Sequence, residues 1–538
     1  MGTLKALVTV VMVMAATVGS AAEGRLKIAY ATCLGGVHWE EAREIIAYPD
    51  GSALFGAHVC SSGLPTTPGC FQPDYAGDDP ALGHGGLFGG DLYLARLSGD
   101  GGKILAATYF GGSKQERSCY AMELDSKGNI VVACVTRSAD APTTAGCFQP
   151  KFACDTDMLV AKLSPDLTKL VWCTYIGGSK GESPRGGLAI DKDDSVVVVG
   201  TSPSPDFPTT PGVVQPHLKG PRDSAIVRLK PDGSGLVFGT FLGGTGEDDA
   251  IMGARLDAAG NIHVAGHTKS ADFPVTAGAP QPKSGGQSDC YLAKLSHDGS
   301  RILYATYLGG SGNEFAEHRP WLTPDGCFIL VGPTLSADFP TTAGAFQRQQ
   351  RGRGDGFVTK LSVDGKRFVF STRLGGTGGE NLLMPTVDEK GNIWVVGSTS
   401  SRDLPVTPDA LQTKFGGGQE DGLLAMLSAD GSQLLYATYL GGSGDEMIRS
   451  ITLGTKGEVY LVGNTSSPDF PTTPGALQPK LGGNHDAFIV KLVPKFGIRS
   501  TKFETNPKLK CQSLETRTRP HRPRTALSVV FGISGFVF

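Results

Sequence analysis

Long apolar runs and strong net charge are both missing from this sequence. Its longest uncharged, mostly apolar stretch covers residues 6–18, whereas a transmembrane helix needs about 20 apolar residues. Charged residues make up only 19% of the chain and the formal net charge is −3, while a nucleic-acid-binding protein normally carries a strongly basic face. We therefore expect no membrane-spanning helix and no nucleic-acid partner.

Short motifs for metal or phosphate chemistry are scarce as well. The sequence has no HExxH pair, no phosphate-binding loop and no EF-hand loop. Its 11 cysteines show no CxxC pairs, although closely spaced cysteines are typical of structural zinc sites. The motifs predict no metal and no cofactor.

The first 22 residues have the pattern of a signal peptide. Lys5 precedes the apolar stretch, and Ser20 and Ala22 supply the small residues that a signal peptidase requires. Export would place the protein outside the cytoplasm, as a secreted, periplasmic or cell-surface protein, where disulfides form. On that basis the spacing of the cysteines predicts two bridges, Cys119–Cys134 across a hairpin and Cys60–Cys70 around a loop.

Two tags recur seven times along the chain. The first tag ends in Gly-Gly, and from Tyr109 onward its copies are 66 residues apart. It begins at Cys33, Tyr109, Tyr175, Phe241, Tyr307, Arg373 and Tyr439. The second tag resembles Phe-Pro-Thr-Thr and begins at Leu64, Ala141, Phe207, Phe273, Phe339, Leu404 and Phe470. Self-similarity at a fixed period of this length is typical of repeat folds, propellers among them.

Each repeat contains four short strand patterns. In the sixth copy, residues 382–387 and 393–397 flank the turn Asp-Glu-Lys-Gly-Asn, and residues 423–427 and 434–440 flank the turn Ser-Ala-Asp-Gly-Ser. Asp and Gly tolerate the backbone conformations of tight hairpins. Four hairpin-linked strands form one antiparallel propeller blade. The sequence therefore predicts an all-β, seven-bladed β-propeller over residues 23–496.

The phase of the repeat predicts how the ring closes. The last copy ends with a third strand near residues 486–493, and its fourth strand is missing there. The segment from Leu26 to the first tag matches that fourth strand. We expect the N-terminal strand to pair with residues 488–492, which would hide two exposed strand edges.

These units resemble the bacterial seven-bladed propeller repeat known as SBBP. The resemblance rests on segments such as GFVTKLSVDGKRFVFSTRLGG and GNIWVVGSTSSRDLPVT, and it covers residues 26–492. It implies the propeller fold, export and a surface or periplasmic setting. It implies little about activity, because the repeat and not a shared chemistry defines the family.

Residues 497–538 differ in character from the repeats. They contain eight Lys or Arg and two Asp or Glu, and they end in an uncharged apolar run from Ala526. We interpret this segment as a disordered basic tail, and the alternative is a tail for envelope sorting or membrane-surface binding.

An acidic residue follows every copy of the first tag. The seven acids are Glu40, Glu116, Glu182, Asp248, Glu314, Glu380 and Glu446. Six copies also place an Asp before the second tag, namely Asp140, Asp206, Asp272, Asp338, Asp403 and Asp469. Carboxylates are natural ligands of calcium, but an acid needed once per blade fits better as an acceptor for loop amides. We therefore predict a structural role, with a calcium site as the alternative.

Candidate functional residues are those that break the repeat on the side of the long loops. We single out His38, His267, His318, Arg185 and Arg449, because histidine titrates near neutrality and is a common catalytic base or metal ligand. His263 and His267 share a strand face but lack a third ligand for a metal. We expect a monomeric binding module for an extracellular or envelope protein or glycan, and the alternative is a lyase or glycan-processing enzyme on the same face.

Overall fold

The strands form seven separate antiparallel sheets, arranged as the blades of a β-propeller. The computed structural model describes residues 26–78, 90–185, 187–250 and 253–495. The expected signal peptide (1–22) and basic tail (497–538) lie outside the described residues. No helix in the described ranges is long and apolar enough to cross a membrane.

The seven blades follow one another along the chain. The strands are β1 Leu26–Leu34, β2 Glu40–Ala47, β3 Ala53–Val59, β4 Asp91–Leu97, β5 Ile104–Phe110, β6 Glu116–Leu124, β7 Ile130–Thr136, β8 Asp157–Leu163, β9 Leu170–Ile176, β10 Leu188–Ile190, β11 Val196–Ser202, β12 Asp223–Leu229, β13 Leu236–Leu242, β14 Asp248–Asp249, β15 Ala254–Leu256, β16 Ile262–Thr268, β17 Asp289–Leu295, β18 Ile302–Leu308, β19 Trp321–Leu322, β20 Phe328–Thr334, β21 Asp355–Leu361, β22 Phe368–Leu374, β23 Glu380–Val387, β24 Ile393–Thr399, β25 Asp421–Leu427, β26 Leu434–Leu440, β27 Glu446–Leu453, β28 Val459–Thr465 and β29 Asp486–Pro494.

Blades 1 to 6 begin at β2, β6, β10, β14, β19 and β23, and blade 7 orders its strands β27-β28-β29-β1. The first strands of neighbouring blades approach one another and form the inner ring. In blade 4 this first strand consists of two pieces, β14 and β15, which both pair with β16. In blade 5 it is reduced to two residues, Trp321 and Leu322, directly after Pro320, which cannot donate a ladder hydrogen bond.

Hairpin turns and apolar strands make each blade. The second strand is apolar on both faces, and β11 is buried along its whole length between its neighbouring blades. In the turn after β23, Gly391 has a φ of +82°, a conformation that glycine adopts without steric cost. The Asp388 carboxylate accepts hydrogen bonds from the amides of Lys390 and Asn392 at 3.0 and 2.9 Å and holds this turn.

The N-terminal strand closes the ring, as the phase of the repeat predicts. Strand β1 pairs antiparallel with β29, with Ile28 opposite Leu492 and Cys33 opposite Phe488. Residues of β1 belong to the cores on both sides of blade 7, since Tyr30 packs toward blade 1 and Ala31 toward blade 6. The first and last described strands thus form one sheet.

The loop that carries the second tag covers the outer edge of each blade. In blade 1 the Thr67 amide donates to the Ala107 carbonyl at 3.1 Å, and the Tyr109 amide donates to the Gln72 carbonyl at 3.0 Å. The same two bonds recur in the other six blades, for example at Thr473 and Gln478 against β1. Because the loop takes up hydrogen-bonding groups of the outer strand, that edge is less open to pairing with another chain.

The tyrosine of the first tag ties this loop to the blade. The Tyr109 hydroxyl accepts the Leu64 amide at 2.8 Å and donates to the Ser61 carbonyl at 3.1 Å. In blade 5 a buried arginine replaces the tyrosine, and the Arg373 guanidinium donates to the Ser336 carbonyl. The recurrent aromatic residue of the tag is therefore explained by a buried hydroxyl with two backbone partners.

The predicted disulfides are wrong. Cys119 and Cys134 are free, buried thiols. Cys119 lies in the register shift between β6 and β7 and has no register partner there, and its thiol contacts the Ala121 carbonyl at 3.8 Å. Cys60 and Cys70 are both buried without a bond between them.

We predict that removal of residues 26–32 prevents stable folding. The deletion exposes the β29 edge and opens the cores on both sides of blade 7, and an unpaired edge promotes aggregation. Size-exclusion chromatography and thermal melting of the deletion variant are compared with Lys27→Ala, which changes one exposed residue of the same strand. A deletion variant that melts as a monomer at the parent temperature would contradict the closure.

Candidate ligand-binding face

All connections between blades and all long loops emerge on one face of the propeller. Glu116 at the start of β6 lies opposite Thr136 at the end of β7, and Thr136 lies opposite Asp157 at the start of β8. The short hairpins lie at the other end of the strands. We call the first side the long-loop face, and propellers commonly carry their sites on such loops.

The seven acids after the first tag form a buried carboxylate ring on this face. All seven are at most 2% exposed. Each accepts the amide of the second tag glycine, for example Gly112 to Glu116 at 2.9 Å and Gly442 to Glu446 at 2.9 Å. Hydroxyls of the second strand add further bonds, such as Thr136 to Glu116 at 2.6 Å. Each acid therefore fixes the turn that joins two blades.

A second row of buried acids lies beside this ring, and sequence reasoning missed it. It consists of the aspartates that open the third strands: Asp91, Asp157, Asp223, Asp289, Asp355, Asp421 and Asp486. They accept amides of the long loop, as Asp91 does from Ala76 at 2.7 Å. The signal was available, because an Asp stands at this position in all seven copies.

Burial raises the pKa of the seven acids of the carboxylate ring. It also raises the pKa of six aspartates of the second row, namely Asp91, Asp157, Asp223, Asp289, Asp421 and Asp486. It raises the pKa of Glu40, Glu116 and Glu182 to about 7 and that of Asp91 to about 8. Neighbouring acids of the two rows raise the values further, as Glu116 does for Asp91. Glu40, Glu116, Glu182 and Asp91 therefore take up protons near neutrality, because burial and the neighbouring acids disfavour their charged forms.

The exposed aspartates before the second tag serve as loop caps. Asp140 accepts both the amide and the hydroxyl of Ser113 at 3.0 Å, and the other five repeat this contact with Ser179, Thr245, Ser311, Thr377 and Ser443. Copy one has Gly63 in place of the Asp and Val37 in place of the Ser or Thr. Copy one therefore lacks both the carboxylate acceptor and the hydroxyl donor of this loop cap.

Within the described ranges, no group of three or more His, Cys, Asp or Glu side chains could hold a metal ion. Whether the carboxylate ring binds calcium stays a prediction, because the hydrogen bonds of the ring describe only its structural role.

The inner strands carry a network of buried ion pairs, which we call the central network. Glu41 pairs with Arg43 at 3.2 Å and with Arg449. Arg319 pairs with Glu44 at 2.6 Å and with Glu123, and Glu123 also pairs with Arg255 at 3.0 Å. These contacts join blades 1, 2, 4, 5 and 7 at the axis.

Two of the predicted candidates lie at the axis. Arg449 is buried and belongs to the central network, since it pairs with Glu41 and with Glu317, the latter at 3.5 Å. His318 is also buried, and burial holds its pKa well below the usual range. Its Nε2 is buried without a hydrogen-bond partner. His38 lies apart from them, in the connection from β1 to β2, where its amide donates to Ser61 at 3.1 Å.

The other two candidates meet in a notch between blades 3 and 4. Arg185 and His267 line a cavity of about 570 Å³ on the long-loop face. The remaining charged residues of its lining are Arg117, Arg222, Glu247 and Asp249. We call this cavity the basic notch, because three arginines face two carboxylates.

The two carboxylates of the basic notch are already engaged. Arg222 pairs with Asp249 at 2.8 Å and with Glu247 at 3.3 Å. The His267 Nε2 lies 2.9 Å from the Asp249 carboxylate, and its Nδ1 is buried without a hydrogen-bond partner. Neither nitrogen of His267 is therefore presented to a ligand as a base.

Arg185 is held by a phenol instead of a carboxylate. Its Nε donates to the Tyr120 hydroxyl at 3.2 Å, and its guanidinium lies 5.9 Å from the centre of the same ring. Arg43 approaches this ring at 5.2 Å. Burial lowers the pKa of Arg117, and the nearby charges of Arg185 and Arg43 lower it further. Positive charge thus accumulates around Tyr120.

Sequence reasoning missed Arg117, Arg222, Glu247 and Asp249. Comparing equivalent positions of the copies would have found them. The residues that directly precede the Asp of the third strand are Gly90, Thr156, Arg222, Ser288, Gly354, Glu420 and His485. Arg222 and Glu420 are the only Lys, Arg, Asp or Glu residues among these seven.

No family model and no curated protein matches the chain. Solved structures give distant similarities. A europium-containing methanol dehydrogenase is 12% identical, with 87% of this chain and 94% of that chain covered and a TM-score of 0.41. A protein of unknown function from Dyadobacter fermentans is 11% identical, with 87% and 99% covered and a TM-score of 0.37. The phage phi92 endosialidase is 10% identical, with 91% and 71% covered and a TM-score of 0.37. Similarities this weak carry no argument about function.

The raised carboxyl pKa values predict that stability increases as the pH falls from 8 to 6.5. In that window the folded ring takes up protons while the unfolded carboxyls, with ordinary values near 4.5, do not. Below pH 6.5 buried histidines oppose the effect, because burial lowers the pKa of His58 to about 4. The midpoint temperature of thermal melting should rise as the pH falls across this window. The rise should be smaller in Glu116→Gln, and in the exposed-site control Glu389→Gln it should equal that of the parent. A midpoint that falls toward pH 6.5 would refute the prediction.

If the ring acids hold the blade connections, Glu446→Ala destabilises the protein regardless of calcium. The change leaves the Gly442 amide and the Thr465 hydroxyl without their acceptor, at a cost of about 1–3 kcal/mol. Chemical unfolding with calcium and with a chelator should give the same loss, and Glu389→Ala should give none. A chelator that destabilises the parent but not Glu446→Ala would instead establish a cation site.

Proposed function

We propose that this protein is an exported propeller of the SBBP kind that binds an anionic ligand in the basic notch. Export and the SBBP assignment come from the sequence. The notch gives the proposal its chemistry, since a cavity of about 570 Å³ is of the size that holds a small ligand or a side chain.

The excess of arginine over acid carries the proposal. Arg222 satisfies both carboxylates of the notch. Among the described residues no carboxylate forms an ion pair with Arg185, which is instead oriented by Tyr120. A planar guanidinium fixed in this way can bind a carboxylate or a phosphate through two parallel hydrogen bonds.

The alternative function, an enzyme on the same face, needs an acid or base open to the cavity. In the basic notch His267 uses one nitrogen for Asp249, and the other nitrogen is buried. General base catalysis requires the base to reach the proton that it removes. The geometry of this notch therefore favours binding over proton transfer.

Loss of Arg185 should weaken anion binding about tenfold or more, because a hydrogen bond to a charged group contributes about 1.5–3 kcal/mol. Calorimetric titration with poly-L-glutamate and with polygalacturonate compares the parent with Arg185→Gln. Arg301→Gln, an exposed arginine on the hairpin face, serves as the matched control. If neither polyanion binds the parent at low salt, or if both variants bind equally well, the proposal fails.

A further inference from the structure

A second notch lies between blades 5 and 6 and reaches Asp445 in the connection to blade 7. It contains positions equivalent to those of the basic notch. Arg222 and Glu420 each precede the aspartate that opens a third strand, and Glu247 and Asp445 each precede an acid of the carboxylate ring. The second cavity has a volume of about 500 Å³. The repeat thus places equivalent positions in two cavities, with different side chains.

The charge of the second notch is reversed. Its lining includes Glu380, Glu420 and Asp445 against one arginine, Arg353, and we call it the acidic notch. Burial raises the pKa of Glu420, and the neighbouring charges of Asp445 and Glu317 raise it further. The Glu420 carboxyl accepts a hydrogen bond from Ser398 at 2.7 Å. A ligand cation in this notch would relieve the repulsion among these acids.

Exposed apolar side chains lie between the two notches. Phe315 is 39% exposed, and its ring lies edge-on to His267 of the basic notch at 6.1 Å. Its amide donates to the carbonyl of Pro333, which lines the acidic notch together with Leu335, itself 50% exposed. The long-loop face therefore offers positive, apolar and negative surface in that order.

We propose that the long-loop face binds an extended peptide segment that places an acidic side chain in the basic notch, an apolar residue on Phe315 and a basic side chain in the acidic notch. This inference rests on the proposed function and names the partner of the same site. An acidic glycan fits less well, because its repeated carboxylates would meet Glu420 and Asp445, and like charges at a binding surface are unfavourable. Peptides carry both charges on one backbone.

The experiment uses fluorescent peptides with Glu at one end, Lys at the other and Gly-Ser spacers of increasing length around a central Leu. Anisotropy titration should find one spacer length at which the Glu/Lys peptide binds at least about tenfold more tightly than its Glu/Gln counterpart, because linked sites act together only when the spacer matches their separation.

Variants of the protein assign this gain to each part of the surface. Glu420→Gln should remove the gain from Lys and leave the affinity for the Glu/Gln peptide unchanged. Arg185→Gln should weaken both peptides, Phe315→Ala should cancel the contribution of Leu, and Glu389→Gln should change nothing.

The outcomes separate the two proposals. If Lys adds nothing at any spacer length while the Glu/Gln peptide still binds through Arg185, the bipartite peptide is refuted and the anion site stands. If a Glu/Glu peptide or polygalacturonate binds more tightly than every Glu/Lys peptide, an acidic polymer replaces the peptide. If no anion binds the parent, the proposed function itself fails.

Discussion

The rest of the structure depends on the pairing of β1 with β29, because without β1 the edge of β29 and the cores on both sides of blade 7 would be open. The pair joins residues that are more than 450 positions apart in the chain. Its side chains complete the cores on both sides of blade 7. Every other blade is made of consecutive strands, so this is the one sheet whose formation requires both ends of the described chain to meet.

Buried carboxylates fix the blades relative to one another. Each acid of the carboxylate ring accepts a hydrogen bond from the turn that precedes the first strand of its blade, as Glu116 does from Gly112. Each aspartate of the third strands accepts amides of the long loop, as Asp91 does from Ala76. Burial raises the pKa of acids such as Glu116 and Asp91, and neighbouring acids raise it further, so part of the structural role falls to protonated carboxyls near neutral pH. Two arginines do pair with acids of the inner strands, Arg319 with Glu44 at the axis and Arg222 with Asp249 in the basic notch.

A symmetric scaffold acquires a directional surface through a few exceptions to its repeat. The same position carries Arg222 in one blade and Glu420 in another, and the residue after the ring acid is Arg117 in one copy and Phe315 in another. These substitutions change the charge and polarity of the long-loop face, which is how one blade geometry can offer two notches of opposite sign.

The sequence by itself determined the number of blades, the strand order within a blade, the closure by the N-terminal strand and the face that carries the long loops. These follow from local patterns repeated seven times, so each copy supports the others. Only the tertiary structure decided which candidates meet. Arg185 and His267 share a notch, whereas His318 and Arg449 are buried at the axis and His38 lies in a connection. The difference is physical, because strand patterns depend on neighbours in sequence, while the surroundings of an isolated His, Arg or Cys depend on side chains from other blades. The predicted bridge between Cys119 and Cys134 failed for that reason, since a register shift leaves Cys119 without a register partner in the hairpin and both thiols are free.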